Sequence, residues 1–183
     1  IGMPLSAPLA KYDTVYALPM MSISMLKGTG IVTSVPADSP DDFTCLRDMQ
    51  TKKVIRDAHG IKEEWCNKEV VEVLTVDMAG VDAKGKTDKG KEGKEGKEAP
   101  VTEEPVLVTA SAPYVVKLLK IESHKDKQKL EEAKRLCYLR GFESGIMAVG
   151  EFSGMPVKDA KQKVRDLLLK SGEAAVYWEP EGL

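Results

Sequence analysis

One run of residues limits the fold of this 183-residue chain more than any other feature. Residues 84–98 read Lys-Gly-Lys-Thr-Asp-Lys-Gly-Lys-Glu-Gly-Lys-Glu-Gly-Lys-Glu and contain no apolar side chain. Such a stretch cannot bury enough surface to offset its ordering entropy, so a flexible, solvated loop is expected there. Its lysines would suit a nucleic-acid tether, but the interleaved acids weaken that reading. The run separates an N-terminal part, 1–83, from a C-terminal part, 99–183, and any core must be built from those two.

The balance of charge narrows the function classes. Lys and Arg number 27 against 29 Asp and Glu, which excludes a histone-like polybasic binder but not a local basic groove. No apolar run approaches the roughly 20 residues that span a bilayer. The start, Ile1-Gly2-Met3-Pro4-Leu5, has no basic region followed by an apolar core, so no secretory signal or membrane partner is expected. The missing initiator Met suggests a segment of a longer protein. Cys45, Cys66 and Cys137 are widely spaced and odd in number, which disfavours a disulfide framework or a paired zinc site and suits a reduced, cytoplasmic compartment.

Local patterns then place elements. Thr14–Leu18 and the branched stretch Gly30–Val35 read as strands, the second ended by Pro36. Ser39-Pro40-Asp41-Asp42 is a helix start: Ser39 can cap, Pro40 suits the first helical position, and the two acids sit where the macrodipole favours them. Phe43, Leu46 and Met49 give this helix an inward face, and Gly60 after His59 should end it. Further helices are expected over 126–139, with Leu130, Ala133, Leu136 and Cys137 on one stripe, and over 157–170. Strands are expected at 146–149 and 174–178. Strands mixed with helices indicate an α/β or α+β domain.

Most catalytic signals are absent. His59 and His124 lie far apart with no obvious nucleophile beside either, Cys45 reads as a buried helix residue, and no phosphate-loop, serine-hydrolase or zinc-protease motif occurs. The stretch 27–42 stands out. Gly28 and Gly30 permit close approach of a ligand or another strand. The following segment delivers Thr33 and Val35 on one face, and a helix start presents Asp42. Apolar and hydroxyl groups beside a carboxylate suit a small amphiphile with an ammonium group. The same residues also suit a glycine turn, a buried strand and acids that cap their own helix.

Gly28-Thr29-Gly30, Ile31-Val32, Thr33-Ser34-Val35-Pro36, Ala37 and Asp38-Ser39-Pro40-Asp41-Asp42 form an ordered set that resembles the editing insert of leucyl-tRNA synthetases of the eukaryotic cytosolic type. Leu5–Leu9 and Tyr16–Met20 resemble the family's approach to that motif. Asp126–Lys134, Tyr138–Phe142, Gly172–Ala174 and Glu179–Glu181 resemble its eukaryote-type insertion. The likeness covers the chain apart from roughly residues 66–110.

The resemblance implies an α/β fold with a barrel-like sheet surrounded by helices. It implies that residues 1–183 make up most of one editing domain, with a helical insertion and return strand over 111–178. The activity implied is hydrolysis of the ester on mischarged leucine tRNA, with a wrong residue of the norvaline, isoleucine or methionine class. Asp42 matches the residue that holds the substrate's ammonium, Thr33 and Val35 match pocket-wall positions, and Lys27, Gly28, Thr29 and Gly30 match the segment near the terminal adenosine. Asp38, inside the motif, is a further substrate-binding candidate. No metal ligand and no editing cofactor is implied; ATP and Mg²⁺ belong to the synthetic core, whose two signatures this chain lacks. The implied partners are the 3′ end of leucine tRNA and the rest of the synthetase. The family's threonine-rich pocket segment has no match here, and the run at 84–98 has no family counterpart. Rival readings are the editing domain of an isoleucyl or valyl enzyme, and a non-catalytic module that docks a protein through the C-terminal helices.

Editing answers a physical limit. One methylene changes binding by only about 1–3 kcal/mol, too little to reject near-isosteres of leucine, so a second sieve is needed. Ester hydrolysis asks for a placed water and a stabilised oxyanion rather than an obligatory protein base, which fits a chain without an evident catalytic histidine.

Overall fold

The computed structural model describes residues 1–20, 22–23, 28–81 and 104–178. The charged run at 84–98 and Lys27 lie outside them. The N-terminal part opens on a small antiparallel pair, β1 (Pro4–Leu5) and β2 (Val15–Tyr16). Helices α1 (Pro40–Thr51), α2 (Lys53–His59) and α3 (Glu63–Cys66) follow, then β3 (Leu74–Asp77). The C-terminal part adds β4 (Leu107–Val108), α4 (Ser111–Leu118), α5 (Lys127–Ser144), β5 (Ile146–Met147) and α6 (Val157–Ser171). Strand β3 sits between β4 and β5 in an antiparallel sheet, with Val76 opposite Val108 and Leu74 opposite Met147. Helix and strand are mixed as expected, but the sheets are small, and neither closes into a barrel among the described residues.

The core lies where α5 packs on β3 and α4 packs on α5. Val115 and Val116 of α4 and the stripe Leu130, Ala133, Leu136 and Cys137 of α5 are all buried, packed with Val76 and Met78. Arg140 fastens the far end of α5 to this sheet, its Nη1 donating to the carbonyls of Asp77 and Ala79 at 2.9 Å each. A second cluster, Met49, Ile61 and Cys66, ties α1 to α3.

Several expectations need correcting. The helix expected from Ser39 to His59 is two helices, broken at Lys52, whose φ of −110° and ψ of 92° are extended. Arg56 stabilises the break, donating to the carbonyls of Met49 and Gln50 at 2.7 and 2.8 Å. Gly60 ends α2 in the left-handed region, as expected. Neither Gly30–Val35 nor Ala174–Trp178 forms a strand; no described residue pairs with them, and Ile31, Val32 and Trp178 stay largely exposed. Branched residues favour a pleated, half-buried surface, and without a neighbouring strand that preference has nothing to act on. Helix α5 runs through Gly141 to Ser144 rather than stopping at Leu139. No described helix is long and apolar enough to cross a membrane.

Candidate active site

The site is built around the start of α1. Backbone N–H groups of Asp38 and Ser39 both donate to the Val35 carbonyl, at 3.1 and 2.9 Å, and this tight turn delivers Ser39 to the N-cap position. Ser39 accepts the Asp42 amide on its Oγ at 3.4 Å. Ser39 and Asp42 have capping-box spacing, yet the Asp42 carboxylate reaches past the cap and takes the Val35 amide on Oδ2 at 2.7 Å. That bond folds the segment carrying Thr33 and Val35 against the first turn of the helix.

A cleft of about 470 Å³ opens beside this turn. Thr33, Val35, Asp38 and Asp42 all line it, so four of the residues singled out in the sequence come together. Gly28, Thr29 and Gly30 are not among its lining residues; they form a neighbouring turn in which both glycines have positive φ, 60° and 73°. Met20, Ile23 and Val32 give the cleft apolar wall, and Ser22, Ser34, Ser39 and Tyr138 give it hydroxyls. Among the described residues no His or Cys lines it.

The electrostatics favour a cation. Burial raises the Asp42 carboxyl above its ordinary range, partly offset by the Val35 amide and the hydroxyls of Ser39 and Ser34, while the Asp41 charge pushes it up further. Burial lifts Asp38 to about 6 against an opposing hydrogen bond from Ser111, whose Oγ lies 3.4 Å from Oδ1. Asp41 differs: Lys134 of α5 stands 3.1 Å away and also pairs with Glu131. A partly dry cleft with carboxylates and apolar wall can hold an alkylammonium and position it for reaction through charge-assisted hydrogen bonds. The hydroxyls can place a water.

Sequence reasoning missed two features. Tyr138 reaches the site from α5, its hydroxyl 2.9 Å from Ser39 Oγ. It falls inside the stretch that resembles the family's insertion, but nothing local marks it as a site residue. The second feature is a buried carboxylate behind the site. Asp48 Oδ2 contacts His124 Nδ1 at 2.6 Å, Ser123 Oγ at 2.9 Å and the His124 amide at 3.1 Å, and Oδ1 lies 2.7 Å from Lys52 Nζ. Burial opposes its charge, but these donors prevail and hold the carboxyl at about 2. Ser123 and His124 both face Asp48, so the trio is a latch between α1 and the α4–α5 connection rather than a nucleophile relay. Cys45 is half-buried, with its thiol raised to about 11, as suits a packing residue. Among the described residues no group of three His, Cys, Asp or Glu side chains is placed to hold a metal ion.

Comparison with known proteins gives a consistent answer. The chain is 40% identical over 181 residues to the cytoplasmic leucine–tRNA ligase of Arabidopsis thaliana, covering 99% of the chain and 14% of that protein. It is 34% identical over 181 residues to the cytoplasmic leucine–tRNA ligase of Saccharomyces cerevisiae, again with 99% and 14% covered. The chain thus spans about a seventh of the length of these curated relatives. Among solved structures, GlLeuRS-CP1 superposes with a TM-score of 0.74 at 31% identity, covering 98% of this chain and 59% of that one. The P. knowlesi cytosolic leucyl-tRNA synthetase editing domain has the same fold, with a TM-score of 0.74 at 23% identity, covering 98% and 50%. No family model matches the chain.

Proposed function

Because the chain belongs to the family of cytosolic leucyl-tRNA synthetase editing domains, we propose that it serves post-transfer editing within a longer, cytoplasmic synthetase. The reaction is hydrolysis of the ester between a wrong amino acid and the terminal adenosine of leucine tRNA. Water adds to the ester carbonyl, the acyl C–O bond breaks, and the ribose hydroxyl leaves with a proton. The substrates are of the norvaline, isoleucine or methionine class, too close to leucine for a single binding step to reject.

The observation that carries this reading is the Asp42 carboxylate, half-buried at a helix start and lining a cleft with apolar wall. Asp42 holds the α-ammonium, and Val35 walls the side chain. Thr33 contributes a hydroxyl beside the ester, and Asp38 adds a second carboxylate. Lys27, Gly28, Thr29 and Gly30 are assigned to the adenosine; the positive φ of the two glycines allows backbone to approach it closely.

The finer architecture follows the same reading. Residues 1–183 make up most of one editing domain, and 111–178 carry its helical insertion. A barrel-like sheet is completed by a threonine-rich segment outside these residues. The exposed apolar side chains of Ile31, Val32, Val176, Tyr177 and Trp178 support this, since they offer surface for strands to cover. ATP and Mg²⁺ would serve the synthetic core, and the partners are leucine tRNA and the remainder of the synthetase.

The test is hydrolysis by the intact synthetase of norvaline-charged leucine tRNA, set beside valine-charged isoleucine tRNA. Release from the first, abolished by Asp42→Ala while leucine charging survives, supports the reading. Preference for the second substrate, or release that ignores Asp42, overturns it.

A further inference from the structure

We propose that Tyr138 is a positioning residue for Asp42, acting through the Ser39 hydroxyl; its activity test rests on the editing reading above. The two residues lie 99 positions from Ser39 to Tyr138 in sequence, yet their oxygens are 2.9 Å apart. Ser39 is the common node. Its Oγ accepts the Asp42 amide at 3.4 Å, and its hydroxyl is one of the groups that favour the charged Asp42 carboxyl. The Ser39 hydroxyl has a single proton to donate, and Tyr138 is placed to fix which way it points.

The geometry around this contact strengthens the assignment. Lys134 lies one helical turn before Tyr138 on α5 and pairs with Asp41 at 3.1 Å. Two side chains of one α5 face therefore grip consecutive parts of the α1 start. Tyr138 itself lines the cleft and is about half exposed, so its ring is not committed to the core as Leu136 and Cys137 are. A tyrosine needed only for packing would not require its hydroxyl at the cap. A phenylalanine would fill the same space.

Deacylation should be compared for the intact synthetase and its Tyr138→Phe, Ser39→Ala and double variants. Loss of the hydroxyl should lower kcat for norvaline-charged leucine tRNA about tenfold, because small misplacements of a positioned group are costly. In Tyr138→Phe, KM should change little, and melting temperature and leucine charging should hold, whereas Ser39→Ala also loses the α1 cap and should melt lower. The double variant should be no slower than Ser39→Ala, as expected for residues acting through one another. An unchanged kcat in Tyr138→Phe, additive losses in the double variant, or parallel loss of stability and both activities in Tyr138→Phe would overturn the assignment.

Amide hydrogen exchange at Asp42 supplies a readout independent of turnover. Tyr138→Phe should speed it, because the Ser39 acceptor becomes less ordered. Faster exchange in Tyr138→Phe, in a synthetase whose wild type hydrolyses no mischarged tRNA, would sink the editing reading and leave the positioning role standing. Unchanged exchange beside active hydrolysis would do the reverse.

Discussion

Asp38, Asp41 and Asp42 lie within five positions of one another, yet each meets a different partner and so behaves differently. Asp41 has a lysine, Asp42 has a backbone amide and hydroxyls, and Asp38 has burial with one weak hydroxyl contact. The sign of the Asp38 shift makes a testable statement. Its folded value of about 6 exceeds the ordinary 3.8, so the folded state binds the proton more tightly. Stability from this group therefore falls as pH rises between about 4 and 6, and the penalty persists above that. Asp48 acts on the opposite limb: its folded value of about 2 stabilises the protein above pH 4, a contribution lost as pH falls towards 2. Thermal melts of wild type and Asp38→Asn should show the variant gaining more at pH 7.5 than at pH 4. A gain that is the same at both values would contradict the buried, proton-holding description of Asp38.

At the scale of elements, helix boundaries were legible where one residue dictates them. Ser39-Pro40 starts α1, Gly60 ends α2 and Gly172 ends α6, each doing what its backbone chemistry demands. The break at Lys52 was not legible, because Arg56 and two carbonyls create it in three dimensions. Strand β3 and helix α4 escaped notice because both are short and buried, and a short apolar run does not reveal its period. The candidate site divides the same way. Thr33, Val35, Asp38 and Asp42 could be read because they lie within one continuous stretch, whereas Ser111 and Tyr138 arrive from 73 and 99 residues away.

Two glycines of this region should respond oppositely to substitution. Gly141 lies inside α5, and a Cβ there would meet Leu74 Cδ1 at an ordinary 3.6 Å. Gly141→Ala should therefore be neutral or stabilise by up to about 1 kcal/mol through helix propensity. A Cβ on Gly145 would collide with the Gly141 carbonyl, and Gly145 also holds α6 through the Val157 amide at 2.9 Å. Gly145→Ala should destabilise, read as a lower urea midpoint. Equal midpoints for the two variants would show that the close approach at Gly145 is unimportant.

Across the whole molecule, the proposed site needs a second wall. The described residues offer the Asp42 side of the proposed site and leave Ile31, Val32 and Trp178 exposed, so on the proposed reading a further segment is needed to hold an ester within reach of water. The isolated chain should therefore release little labelled norvaline or isoleucine from leucine tRNA. Supplying the threonine-rich segment, in cis or as a second polypeptide, should restore release and spare leucine. Efficient, leucine-sparing hydrolysis by the chain alone would mean that the site lies elsewhere.

The central claim is that Asp42 recognises the substrate's ammonium, and the most direct measurement removes that charge from each side in turn. The intact synthetase and its Asp42→Ala variant would be given leucine tRNA charged with norvaline or with N-acetyl-norvaline. A hydrogen bond to a charged group contributes about 1.5–3 kcal/mol, so the wild type should prefer the free amine by about tenfold to a hundredfold. Asp42→Ala should hydrolyse both substrates slowly and at similar rates. If the variant keeps the full preference for the free amine, the ammonium is held by another group and the account is wrong.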